Sequence, residues 1–117
     1  MYTITVYIQS DSLTESESAA MIADTFRTFE IFSEMEEGVS VRSARMFDLT
    51  TVAARIRGIE PPLLTIKNKA RKLFEKYSDK LIVSCVREQW DGYGPTDWEW
   101  DKEQGWIAEG MIDEDFR

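Results

Sequence analysis

The hydrophobic pattern at the start of the chain predicts a β-strand over Tyr2–Ile8. Four large side chains occupy alternate positions there, and the residues between them are threonine and tyrosine. A period of two turns one face of the segment towards a core, and β-branched and aromatic residues favour strands. A turn is predicted at Ser10–Ser12.

The following segment has helical periodicity, and we predict a helix over Glu15–Glu36. Thr14 and Glu17 have the spacing of a capping box, and Gly38 is suited to ending the helix. The apolar stripe consists of Ala19, Ile22, Phe26, Phe29, Phe32 and Met35. We expect this stripe to pack in the core, with Phe26 near its centre.

A second strand is predicted over Val39–Phe47. Its two valines lie on one face, whereas Ala44 and Met46 lie on the other. We interpret this as a shift of register and expect a β-bulge midway along the strand.

The segment Leu49–Arg57 fits two structures. Its apolar residues match either a short helix capped by Asp48 or a strand. We favour the helix, because Asp48-Leu49 makes a poor two-residue hairpin turn. If the segment is instead a strand, the first 90 residues have the order βαββαβ, which is a ferredoxin-like arrangement.

A second long helix is predicted after the Pro61-Pro62 pair, since proline is tolerated in the first turn of a helix. Its apolar stripe consists of Leu63, Ile66, Ala70, Leu73, Phe74 and Tyr77, and its remaining surface carries Lys67, Lys69, Arg71, Lys72 and Lys76. We interpret the basic residues as a solvated face that offsets acidic parts of the chain. No aromatic residues are interleaved with them, which disfavours nucleic-acid binding.

The last third of the chain predicts a strand and a hairpin. Lys80–Trp90 has alternating faces, and glycine and proline then break the pattern at Asp91–Pro95. Thr96–Asp101 alternates between acidic and aromatic side chains, and a loop ending at Gly105 leads into a return strand over Trp106–Glu109. The whole chain is therefore predicted to be one α+β domain over 1–117, with helices on one face of a mostly antiparallel sheet of four or five strands.

Charge and composition narrow the functional classes. The 117 residues carry a net charge of −8 and include one cysteine and no histidine. The commonest general base and metal ligand are therefore missing, and no internal disulfide can form. We predict no catalytic residues, no cofactor and no metal site, and we expect Cys85 to be buried and unreactive. The N-terminus has no signal-like segment and no stretch could span a bilayer, so we expect a cytoplasmic protein without membrane contact.

The alternating segment Thr96–Asp101 allows two interpretations. It is a solvated face with its tryptophans packed inward, or it is a recognition strip for a basic protein. On the second interpretation the chain is a small non-enzymatic inhibitor or immunity-type protein that blocks a basic, nucleic-acid-handling target, because acidic strips speed association with basic surfaces. The candidate partner-binding residues are Tyr93, Asp97, Trp98, Glu99, Asp101, Glu103 and Trp106.

Two other hypotheses are consistent with the sequence. One is a small-ligand-binding domain or cofactor-free enzyme, with a pocket lined by Trp, Phe and Met between the sheet and the helices. The other is a homo-oligomer in which the basic helix of one copy meets the acidic hairpin of another.

Overall fold

The computed structural model describes residues 1–34 and 38–108, together with the backbone of 111–112. The strands are β1 (Tyr2–Ser10), β2 (Val39–Met46), β3 (Leu49–Gly58), β4 (Leu81–Trp90), β5 (Thr96–Asp101), β6 (Gly105–Ala108) and the two-residue β7 (Met111–Ile112). The helices are α1 (Glu15–Phe29) and α2 (Leu63–Lys76), and 3-10 turns follow them at Glu30–Glu34 and Ser78–Lys80. Met35, which the sequence placed on the apolar stripe of the first helix, lies outside the described residues.

The strands form one antiparallel sheet in the order β2-β3-β1-β4-β5-β6-β7. Both helices pack against the same face of this sheet. The predicted α+β class, the single helical layer and the C-terminal hairpin of β5 and β6 are confirmed. The predicted count of four or five strands was wrong: six described strands have at least four residues, and β7 extends the edge.

The first 90 residues have the ferredoxin-like order βαββαβ, and the preferred helix over Leu49–Arg57 was wrong. Met46 pairs with Leu49, so the turn is formed by Phe47 and Asp48 rather than by Asp48 and Leu49. Phe47 has a φ of 56°. A positive φ in a two-residue loop matches the twist of the flanking strands. Strand β3 therefore pairs with β2 through this hairpin, and it pairs with β1 along its other edge.

The face of the sheet under the helices holds the core. Residues at every second position of β1 and β3 are buried there, and directly opposed pairs include Ile4 with Ile56 and Val6 with Ala54. The helices contribute fully buried Met21, Phe29, Ile66, Ala70 and Phe74. Among the described residues, no buried side-chain nitrogen or oxygen lacks a hydrogen-bond partner.

Helix α1 begins with the predicted capping box but turns a different side to the core. Its buried residues are Ser18, Met21, Thr25 and Phe29, whereas Phe26 is 54% exposed. The central core position expected for Phe26 was therefore wrong. Two polar residues, Ser18 and Thr25, occupy the core side of the helix instead. Their buried hydroxyls are hydrogen-bonded, that of Ser18 with Thr50 and that of Thr25 to the Met21 carbonyl.

Strand β2 has no bulge along its pairing with β3, so the expected shift of register was wrong. The two valines and Ala44 have opposite parity, and simple alternation already places them on opposite faces. Strand β2 pairs with β3 along one edge, and its other edge borders no described strand.

A cluster around Asp24 joins the two helices. Its carboxylate accepts from Lys76 at 2.7 Å, from Arg27 at 2.6 Å and from the hydroxyl of Tyr77. These hydrogen bonds, first the one from Lys76, lower the pKa of Asp24 to about 2, although partial burial opposes the shift. The ionised carboxylate is therefore the form that the folded chain stabilises.

We predict that Phe74→Ala lowers the free energy of unfolding by about 3–5 kcal/mol, because it empties a fully buried aromatic site. Phe26→Ala should cost less than about 1 kcal/mol, because more than half of that side chain is already in water. Urea melts at low protein concentration measure both values. Equal losses would contradict the assignment of the α1 core side.

We also predict that Asp24→Asn lowers the free energy of unfolding by about 2 kcal/mol at pH 7, because it leaves donors of Lys76 and Tyr77 without an anionic acceptor. The folded pKa of Asp24 lies below its unfolded value of about 3.9, so its contribution is complete above pH ~4. It is lost as the pH falls from about 4 to about 2.

Urea melts of both proteins between pH 7 and pH 2 test this dependence. The difference between wild type and variant should shrink below pH ~4. Glu75→Gln is the matched control, since it breaks an exposed pair with Arg71 on one helix and should cost less. A difference that does not change with pH would contradict the role of the Asp24 charge.

Candidate partner-binding surface

Neither helix covers the second face of the sheet, which we call the open face. Residues on it alternate with the core residues of each strand and are partly or fully exposed. They include Thr3, Thr5, Tyr7 and Gln9 of β1, Arg55 and Arg57 of β3, Cys85 and Arg87 of β4, and Asp97, Glu99 and Asp101 of β5. We call the three carboxylates of β5 the acidic strip.

The acidic strip lies on the open face because Trp98 and Trp100 take the core side of the same strand. Its carboxylates stand at alternate residues, about 6.5–7 Å apart along the strand. Each of them has a different environment, which the sequence alone could not distinguish.

Asp97 is paired within the chain. It lies opposite Arg87, and the guanidinium donates from Nε at 2.7 Å and from a terminal nitrogen at 3.1 Å. The same guanidinium lies 5.7 Å from the centre of the Tyr7 ring. A bidentate pair of this kind holds both side chains in place, and the charge of Arg87 compensates much of the charge of Asp97.

Asp101 organises the hairpin turn. Its carboxylate accepts from the backbone N–H of Glu103 at 2.8 Å and of Gln104 at 3.0 Å. These hydrogen bonds lower the pKa of Asp101. Gly105 closes the turn with a φ of 81°, a left-handed conformation that glycine adopts without steric cost. Asp101 therefore has a structural role in addition to its exposure.

Glu99 and Glu103 are exposed, and their side chains form no hydrogen bond or ion pair with the described residues. Glu99 lies between Cys85 on β4 and Ile107 on β6, both on the open face. Glu103 lies in the turn just beyond the strip. These two carboxylates can accept a partner's cation without breaking a described internal bond.

Tyr93 is 74% exposed in the loop between β4 and β5. Its backbone is held at both polar groups: its N–H donates to the Trp90 carbonyl at 3.0 Å, and its carbonyl accepts from Gln89 at 2.9 Å. A fixed backbone with an exposed ring fits the anchor role suggested by the sequence.

Trp98 and Trp106 do not fit that role, because each is only 7% exposed. They pack under α2, and the ring of Trp106 meets Phe74 edge-on at 6.0 Å. Burial leaves little of either ring for a partner to contact. We therefore remove both tryptophans from the candidate binding residues.

Lys67 is the largest departure from the predicted solvated face of α2. It is only 4% exposed, and its ammonium lies 3.8 Å from the centre of the Trp98 ring and 5.1 Å from that of Trp106. A cation over two indole faces is favourable where water is excluded. Its position on the polar side of the helical stripe gave no sign of this burial.

A hydrogen-bonded group that the sequence pattern did not indicate lies beside these tryptophans. Glu88 accepts from the Trp98 indole N–H at 2.9 Å and from the Tyr2 hydroxyl, and the Tyr2 ring stacks on Trp90 at 4.4 Å. Burial, and then the hydrogen bond to Glu88, raise the pKa of Tyr2. The group satisfies its own polar atoms, and we interpret it as a structural element.

Arginine on the open face was missed as well. Arg57 donates to Thr3 at 2.6 Å and to both oxygens of Asp91 at 2.8 and 3.1 Å, while Arg55 is exposed nearby. The alternate spacing of these two arginines is typical of a strand, but a helix was the structure preferred for this segment. The open face is consequently basic on β3 and acidic on β5.

Cys85 lies on the open face between Tyr7 and Glu99 and is partly exposed, so the expectation of a buried cysteine was wrong. Desolvation first, and then the negative charges of Asp97 and Glu99, raise the pKa of its thiol to about 11. A thiol that stays protonated at neutral pH is a poor nucleophile.

Other sites that could carry chemistry are limited in the described part of the chain. No three acidic or cysteine side chains there lie close enough to hold a metal ion. A groove of about 420 Å³ between the helices is lined by Lys69, Lys72 and Lys76, but Asp24 already lies in it. Neither α1 nor α2 is long and apolar enough to cross a membrane.

In comparisons with known proteins, the chain matches no family model, no curated protein and no solved structure at a significant level.

We predict that Cys85 reacts slowly with a thiol reagent at pH 7 in the native protein, and about tenfold faster for each unit of pH up to about 10. Glu99→Gln should lower the pKa of the thiol and accelerate labelling, because it removes one nearby negative charge. Glu60→Gln, an exposed acid outside the acidic strip, is the control. Native labelling at pH 7 as fast as labelling in urea would contradict the protonated thiol.

Proposed function

We propose that this chain is a small, non-enzymatic protein-binding module that docks on a basic partner through the acidic side of its open face. The main supporting observation is that Glu99, in the acidic strip, and Glu103, just beyond it, are exposed and form no side-chain hydrogen bond or ion pair with the described residues. The net charge of −8 supports a basic partner, since opposite charge speeds association and steers it.

The kind of partner follows from the spacing of these charges. The carboxylates are about 6.5–7 Å apart, which is close to the distance between successive phosphates along a nucleic-acid strand, where about 3.4 Å of axial rise adds to the helical path. A protein that binds phosphates therefore presents lysines and arginines that can receive the row. An inhibitor or immunity-type protein acting on a nucleic-acid-handling enzyme is the function that best combines this surface with the small size of the chain.

The alternative of a small-ligand-binding domain or cofactor-free enzyme needs a pocket between the sheet and the helices. Fully buried Phe29, Ile66 and Phe74 occupy that space. The groove described above lies at the surface between the helices. No observation on the described residues favours this alternative.

The test removes two charges without touching structural acids. Asp97 and Asp101 are kept, because Arg87 and the hairpin turn depend on them. We expect Glu99→Gln with Glu103→Gln to leave the urea midpoint unchanged and to weaken binding to a basic partner about tenfold, mainly through slower association. The effect should be smaller in high salt.

The immobilised wild-type chain is used to capture proteins from a lysate of the source cells, and the captured protein is then purified and titrated at two salt concentrations. Glu30→Gln with Glu60→Gln is the matched control, because it removes the same charge from outside the acidic strip. The proposal is supported if the captured protein is basic and binds only the Glu99 and Glu103 variant more weakly than wild type. The wild-type chain should also block the action of the captured protein on nucleic acid. Equal affinities for all three chains would refute the proposed surface.

A further inference from the structure

Helix α1 carries a second apolar stripe beside its buried side, and of this stripe only Ile22 also packs against the core. It consists of Ala19, Ile22, Ala23 and Phe26, at the spacing of one helix face. With Val41 and Ser43 of β2 these residues line an apolar groove of about 500 Å³, with Arg27 at its margin. Phe26 is 54% exposed there. The groove follows the edge of the sheet at which β2 borders no described strand.

The backbone of β2 is arranged to receive another strand beside this groove. The Arg57 N–H donates to the Gly38 carbonyl, which makes even-numbered β2 residues the ones bonded to β3. The backbone groups of Val41, Ser43 and Arg45 therefore point outward. Their side chains lie on the helix-covered side, so an added strand would place alternate side chains beside the groove.

We propose that a second copy of this chain occupies this edge, in a two-fold symmetric dimer with β2 paired antiparallel to β2 and α1 packed against α1. One symmetry operation covers both exposed features, as an isologous interface requires. The surface involved is separate from the acidic strip, so this inference does not depend on the proposed function.

The dimensions of the fold fit this arrangement. Helix α1 contacts both β2 and β3, so it lies above the boundary between them. Strands are about 4.8 Å apart, so pairing β2 with β2 sets the two α1 axes about 10 Å apart, close to the usual packing distance of helices. The small side chains of Ala19 and Ala23 permit that approach, and Phe26 fills the space between the helices.

The area is sufficient for a specific dimer. The eight residues of β2 extend about 26 Å, and the sheet layer and helix layer together are about 20 Å thick. The flat area is about 500 Å² for each copy, or about 1,000 Å² in total, which reaches the size expected of a biological interface.

Charge selects the register of the pairing. If Ser43 lies on the two-fold axis, Val41 meets Arg45 of the second copy, and Arg42 meets Ala44. The two copies of Arg42 are then not directly opposed. The backbone groups of Val41, Ser43 and Arg45 point outward, so the valine–arginine pairs and the serine pair can exchange hydrogen bonds between the copies. Arg27 already pairs with Asp24 at 2.6 Å, so its charge adds little repulsion.

The oligomeric state is measured by light scattering and analytical ultracentrifugation of the full chain. We expect wild-type protein to be dimeric at about 100 μM. Phe26→Glu should raise the dissociation constant at least about 30-fold, as for loss of an interface hot spot. Ser43→Pro should have a similar effect, because it removes an outward N–H and leaves the bonds to β3 intact. Leu64→Glu, on an exposed apolar residue of α2, is the matched control and should not change dimerisation.

Amide hydrogen exchange identifies the interface independently of the variants. The amides of Val41, Ser43 and Arg45 should be protected in the wild-type dimer and should exchange quickly in Phe26→Glu. The amides of Arg42 and Ala44, which bond to β3 within one chain, should be protected in both proteins. A monomeric wild type overturns the proposal, and so does a dimer in which the outward amides of β2 exchange quickly.

Discussion

The helices cover only one face of the sheet, and this constraint determines the environment of almost every strand residue. Side chains at alternate positions either meet the helices or remain on the open face. The rule makes Ile4 core and Thr5 surface, and it separates Trp98 from Glu99 in the same way. The hydrophobic interior, the acidic strip and the arginines of β3 are therefore consequences of one arrangement of layers.

Elements with strong local signals could be predicted from the sequence. The capping box at Thr14 and Glu17, the apolar stripe of α2 and the hairpin closed by Gly105 each depend on residues close together in the chain. Local geometry restricts such segments to few conformations, so distant contacts did not alter them. The alternation in β5 likewise separated acids from tryptophans, although it could not show which side faces the helices.

The errors concern features that are decided by distant partners. Leu49–Gly58 fits both periodicities, and pairing with β1 selects the strand. The core side of α1 contains Ser18 and Thr25, which a hydrophobic stripe excludes, because their hydroxyls bond to Thr50 and to the helix backbone. Lys67 is buried with its ammonium over two indole rings from distant strands. Strand β1, Thr50 and the two tryptophans lie far along the chain from the segments that they affect, so a short sequence window does not show them. For the same reason the stripe predicted on α1 combined core residues with residues facing the groove.

The position of the tryptophans determines what intrinsic fluorescence can report. All four lie on β4, β5 and β6, and the described parts of β2 and β3 contain none. Their emission should respond when α2 separates from the sheet, because Trp98 and Trp106 are shielded by that helix. Tryptophan emission should change little when β2 frays or when the turn at Phe47 opens. A melt followed by fluorescence alone therefore describes one side of this sheet, and circular dichroism is needed to show whether the other side unfolds with it.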